Sequence, residues 1–138
     1  MSICTSLIFI KPNYFTIIFI SICASVLFSC SEPLEVKGFD VMSWKSDKMA
    51  CNNTRADYEK TLMDAREQLI GATQEEIIQF LGRPERQELY NRGQKFYIYF
   101  LSPSPECYEN VAPPAPSRLL YVRFSAVNKV NEIFVQQL

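Results

Sequence analysis

Five cysteines, at positions 4, 23, 30, 51 and 107, are the most reactive side chains in this 138-residue chain. A thiol can be acylated, paired as a disulfide or used as a metal ligand. The chain has no histidine, which removes the commonest general base and metal partner, and two lone cysteines without it make a poor zinc site. Carboxylates offer a different chemistry, acid–base work by an Asp/Glu pair. The one cluster of interest is Asp40 and Asp47 flanking Trp44, the single tryptophan; a solvated surface is the plainer reading of it. G-x-S-x-G, H-E-x-x-H, C-x-x-C, P-loop and calcium-loop spacings do not occur. The expectation is therefore a non-enzymatic protein with no cofactor and no metal.

Charge is unevenly placed. Fourteen basic and fifteen acidic residues give a net charge of −1. Every acidic residue follows Cys30, and of the basic ones only Lys11 precedes it, so the chain from Cys30 onward is net −2. No basic stripe supports nucleic acid as a partner. Residues 14–29 carry no charge at all and stop at "SVLFSCSEPLE". The run is shorter than the ~20 apolar residues that span a bilayer. It has no polar face, as a helix packed on a core would. A basic residue, an apolar core and small residues at its end make residues 1–29 an expected secretory signal.

Leu27-Phe28-Ser29-Cys30 resembles the lipobox of bacterial lipoproteins, with Leu27 and Ser29 matching and Phe28 bulkier than usual. The resemblance implies cleavage before Cys30, a thioether-linked diacylglycerol on its sulfur and an amide-linked third chain. More than one acyl chain is what stable anchoring to a bilayer requires. Ser31 and Glu32, where an aspartate would signal retention, imply the outer membrane with the protein facing the periplasm. Export leaves Cys51 and Cys107 as a pair in an oxidising compartment. A bridge between them is expected, worth ~4 kcal/mol in the chain-entropy account.

After Cys30 the chain divides, on this reading, into residues 30–53 and residues 54–138. The first holds a polar tether, residues 31–37, and a segment around Trp44 without clear periodicity. Trp44 there is either packed over the domain or a binding residue. In the second, Thr54 and Asp57 offer a helix start, and Tyr58, Leu62, Ala65 and Leu69 repeat at helical spacing until Gly71. "TQEE", residues 73–76, is a capping box that opens a second helix bearing Ile77, Ile78 and Leu81, ended by Gly82 with Pro84 beyond. The period then becomes two. Residues 95–101, 118–124 and 131–137 read as strands, with a turn at residues 91–93. Residues 102–117 contain five prolines and cannot be a strand interior; Cys107 would pin this loop near the first helix.

"LIGATQEEIIQFLGRPERQ", followed by an aromatic strand and a last hairpin, resembles the SmpA/OmlA (BamE-like) outer-membrane lipoproteins. Gly71, Thr73, Glu76, Leu81, Gly82 and Pro84 carry the match. The resemblance implies an α+β domain, two short helices on one face of a three-stranded antiparallel sheet, as also in β-lactamase inhibitory protein. It implies a scaffold or protein-binding role in envelope assembly, with inhibition of a periplasmic enzyme as the alternative on the same fold. The proline-rich loop, the cysteine pair and the Trp44 segment depart from the family pattern. Alternation places Phe96, Ile98, Phe100, Leu120, Val122, Phe124, Ile133 and Val135 under the helices. Tyr97, Tyr99, Leu101, Tyr121 and Arg123 fall on the opposite face, and tyrosines beside an arginine have the composition of an interface hot spot. Tyr97, Tyr99, Tyr121, Arg123 and Trp44 are thus the expected binding residues.

Overall fold

Four strands follow one another through the C-terminal half: β1 (Arg86–Tyr90), β2 (Gln94–Phe100), β3 (Arg118–Phe124) and β4 (Val130–Gln137). In the computed structural model, which describes residues 33–109 and 111–138, they form one antiparallel sheet in the order β1-β2-β3-β4. The fold is α+β, but its sheet has four strands, where three were expected. All five residues of β1 are exposed, so it lacks the alternation that marks a half-buried strand. The three-residue turn Asn91–Gly93 joins it to β2, with Arg92 at φ 59°. Cys30 and the expected signal lie outside the described residues.

The helical layer is more broken than the sequence suggests. Helix α1 (Val41–Ser46) is capped by Asp40, which accepts from the backbone N–H groups of Met42 and Ser43. Two 3-10 turns, Lys48–Ala50 and Thr54–Tyr58, lead into α2 (Glu59–Asp64) and α3 (Arg66–Leu69). A kink at Ala65 (φ −90°, ψ 1°) divides the expected single helix. Its stripe nevertheless faces inward, with Leu62, Ala65 and Leu69 buried. The cap is not Thr54 but Asp47, further back: one carboxylate oxygen accepts from Thr54 N–H at 2.8 Å and Arg55 N–H at 3.3 Å, the other from Asn52 N–H at 2.8 Å. Helix α4 (Gln74–Leu81) does open on the Thr73/Glu76 capping box and ends at Gly82, whose φ of 85° suits a residue without Cβ.

The helices cover one face of the sheet. Trp44, Leu62, Leu69, Ile77, Phe80 and Leu81 pack there with Tyr97 and Tyr99 of β2, Leu101 just beyond it, Leu120, Val122 and Phe124 of β3, and Ile133 of β4. The expected faces of β3 and β4 hold, whereas β2 is turned over. Tyr97 lies opposite Val122 and Tyr99 opposite Leu120, so these tyrosines share the helix-covered face, and Phe96, Ile98 and Phe100 point away. A shift of one residue moves a strand's whole side-chain set to the other face.

The division at residue 54 also changes. The described body is a single unit, Pro33–Leu138. Residues 31–37 are not a free tether along their described length, because Leu34 and Val36 pack against the core. Trp44 is completely buried in it.

Candidate functional site

Trp44, Tyr97 and Tyr99 are core residues, a correction to their expected role as binding residues. Trp44 donates its indole N–H to Leu81 O at 2.9 Å. The Arg55 guanidinium lies 4.6 Å from its ring centroid, and Arg55 Nε donates to Trp44 O at 3.0 Å. Tyr99 donates its hydroxyl to Gly82 O at 3.0 Å, and Tyr97 to Gln74 Oε1 at 2.8 Å. Burial pushes both phenols above their ordinary range; for Tyr99 the nearby Glu85 and Tyr97 add to the rise and Arg55 opposes it. Asp40 and Asp47 spend their carboxylates on backbone N–H groups. They are caps, and do not converge as an acid–base pair around Trp44.

Tyr121 and Arg123 remain on the face without helices, joined by residues that the sequence did not single out for binding. Register sets Phe96 opposite Arg123, Tyr121 opposite Phe134, and Arg123 opposite Glu132. The Phe96 ring meets Tyr90, Tyr121 and Phe134 edge-on at centroid distances of 5.5, 5.9 and 6.2 Å. Tyr121 and Phe134 stack at 5.1 Å. The Arg123 guanidinium lies 5.4 Å from the Tyr90 centroid and 5.9 Å from that of Phe96. It donates twice to Gln94 Oε1, at 2.9 and 2.6 Å, and once to Glu132 Oε2 at 3.0 Å. Burial raises the Tyr121 phenol above its ordinary pKa, with Glu88 adding and Arg86 opposing. The result is a cluster of edge-on and stacked rings, with Tyr121 buried among them and Tyr90 exposed, and with the Arg123 cation held over Tyr90 and Phe96. Such a surface suits contact, by aromatic packing and cation–π attraction.

The far end of the same face is covered. Ala50 and Met49 pack over Ile98, Phe100 and Leu119. Cys51 and Cys107 are joined as a disulfide with Cα atoms 5.4 Å apart, which ties this cover to the proline-rich loop. Ser104 N–H donates to Met49 O at 3.1 Å. Met49 and Ala50 both adopt positive φ, 57° and 56°, a conformation that costs a residue with a side chain about 1–2 kcal/mol. The bridge, the Ser104 bond and a 3.4 Å bond from Met49 N–H to Glu85 Oε1 hold them there.

Two signals pointed to the residues that sequence reading missed. Arg123 marks its own face of β3 as the polar one, so whatever lies across from it belongs to the same surface. Phe134 occupies an even position between the inward Ile133 and Val135. For Tyr90 no signal existed, because β1 was not visible as a strand. Among the described residues no group of three or more Cys, Asp or Glu side chains is placed to hold a metal ion, and no helix is long and apolar enough to cross a membrane. Compared with protein-family models, with curated proteins and with solved structures, the chain matches none.

Proposed function

We propose that the protein is a lipid-anchored lipoprotein of the outer membrane, facing the periplasm, that acts as a non-enzymatic protein-binding module. Its anchor is Cys30, on the strength of the lipobox-like Leu27-Phe28-Ser29-Cys30. Its likeness to SmpA/OmlA lipoproteins supports a role in envelope assembly. One observation carries the binding role: on the sheet face opposite the helices Arg123 lies over Tyr90, half exposed (51%), and over the partly buried Phe96, with Phe134 partly buried and Tyr121 buried beneath them. Aromatic residues and arginine are the types enriched where binding energy concentrates.

A photoreactive aromatic residue in place of Tyr90 keeps a ring at the site and reports what lies against it in intact cells. The expected product is an adduct with a different envelope protein, lost when Arg123→Ala is added. Adducts only with other copies of this chain, or none, overturn the binding reading. The anchor is tested separately by intact mass: Cys30→Ala should carry no acyl chain, and an acylated Cys30→Ala product overturns it.

A further inference from the structure

The two edges of the sheet differ in a way that points to a second copy of the chain. Natural proteins guard an open edge with charges, proline or bulges. At the β1 edge Arg86 and Glu88 supply charge along a five-residue strand. Two β1 strands paired antiparallel about their centre would set Glu88 against its own copy, a destabilising like-charge pair. The β4 edge is less guarded: over residues 131–138 it carries one charged side chain, Glu132, and no proline. No strand among the described residues lies beyond it.

The hydrogen-bond phase of β4 is fixed by its neighbours. Leu138 N–H donates to Ser117 O at 3.0 Å, and Leu101 N–H to Arg118 O at 2.9 Å. In an antiparallel ladder such bonds join directly opposite residues and alternate along the strand. Odd positions of β3 therefore bond to β4, which turns Phe134 and Gln136 toward β3 and leaves Ile133, Val135 and Gln137 facing the open edge. The edge is closed at its start. Gly71 N–H donates to Val130 O and Val130 N–H to Ala72 O, both at 2.8 Å, beyond the register shift between Arg123 and Phe124. The free stretch runs from residue 131 to residue 137.

We infer that two copies pair antiparallel along β4 with Phe134 on the twofold axis. In that register Ile133 bonds with the second copy's Val135, and the reverse, both pairs using outward backbone groups of the right parity. Phe134 meets its own copy as a non-hydrogen-bonded pair, the kind that brings side chains closest. Glu132 falls opposite Gln136 and Asn131 opposite Gln137, so no like charges meet. Ile133 and Val135 adjoin on the helix side, while Phe96, Tyr121 and Phe134 of each copy extend into one aromatic band. Every contact is self-complementary, as a twofold interface requires. This inference does not depend on the anchoring or binding readings above.

Cysteine cross-linking in the full chain tests it. Two Phe134→Cys thiols would sit on strands with Cα atoms about 4.5 Å apart, within disulfide range, so a roughly tenfold excess of reducible dimer over wild type is expected. Glu132→Cys alone should give no excess, because its two copies lie about 13 Å apart along the strands. Glu132→Cys and Gln136→Cys chains expressed together should form the mixed dimer. Both positions are exposed, so this pair decides the matter if Phe134→Cys fails to fold. No mixed dimer above wild type, or Glu132→Cys cross-linking as strongly alone, overturns the inference.

Discussion

Trp44 reaches 37 residues along the chain to give its indole N–H to Leu81 O, at 2.9 Å and out of contact with water. The acceptor is one of the carbonyls that a helix end leaves without an internal partner, so the tryptophan both fills the core and closes α4. Trp44→Phe keeps most of the packing and strands that carbonyl, with an expected loss of about 1–3 kcal/mol. Trp44→Ala should lose about 3–5 kcal/mol. Urea unfolding of the two variants measures both; a Trp44→Phe variant as stable as wild type would mean that the hydrogen bond contributes nothing.

Arg55 and Glu85 form an ion pair at 2.8 Å, with side chains 3% and 11% exposed. Arg55→Met should destabilise by roughly 3–5 kcal/mol, since it leaves Glu85 charged and without its cation in a largely dry site. Adding Glu85→Gln to Arg55→Met should restore part of that stability. A double variant as unstable as the sum of the single ones would show that the two side chains act independently.

Replacing Cys51 and Cys107 with serine should lower stability by about 2–4 kcal/mol. The local effect should be uneven. Residues 49–51 and 105–107 are expected to lose hydrogen-exchange protection while β2 and β3 keep theirs, because only the former depend on the bridge to stay over Phe100 and Leu119. Uniform loss across the sheet would place the bridge in the global core instead.

Tyr99 makes stability fall at alkaline pH. Its folded pKa is raised above the ordinary 10.0, chiefly by burial, so the folded state holds the phenolic proton more tightly than the unfolded chain. The contribution is fully present below pH 10 and declines above it, as the unfolded chain ionises and the folded one does not. Tyr99→Phe should cost about 1 kcal/mol at neutral pH for the lost bond to Gly82 O. It should also flatten the decline between pH 9.5 and 11, read as urea midpoints at each pH; an unchanged slope would exclude Tyr99 as its source.

The parts of this fold that the sequence displayed are those in which one local rule speaks alone. Thr73 and Glu76 stand three apart before an apolar run, and the box forms. Arg123 interrupts an apolar strand and thereby orients β3. The β2 face was ambiguous because Phe96-Ile98-Phe100 and Tyr97-Tyr99-Leu101 are both apolar, and burial on both faces erases alternation as a guide. The Trp44 segment was obscure for a different reason: α1 spans only Val41–Ser46, less than two turns, and it is held by partners at Leu81 and Arg55 that no short window contains. The same holds for the candidate site. Tyr121 and Arg123 were visible on β3, while Phe96, Phe134 and Tyr90 depended on pairing.

The Cys51–Cys107 linkage also sets an order of events during biogenesis. Its two residues are 56 positions apart, and at ~5–20 residues per second of synthesis the first thiol exists about 3–11 s before the second. Through that interval Cys51 has no correct mate; Phe100 is made only near its end and Leu119 after it, so Met49 and Ala50 have nothing complete to cover. The lid of the aromatic face is therefore among the last parts to be sealed.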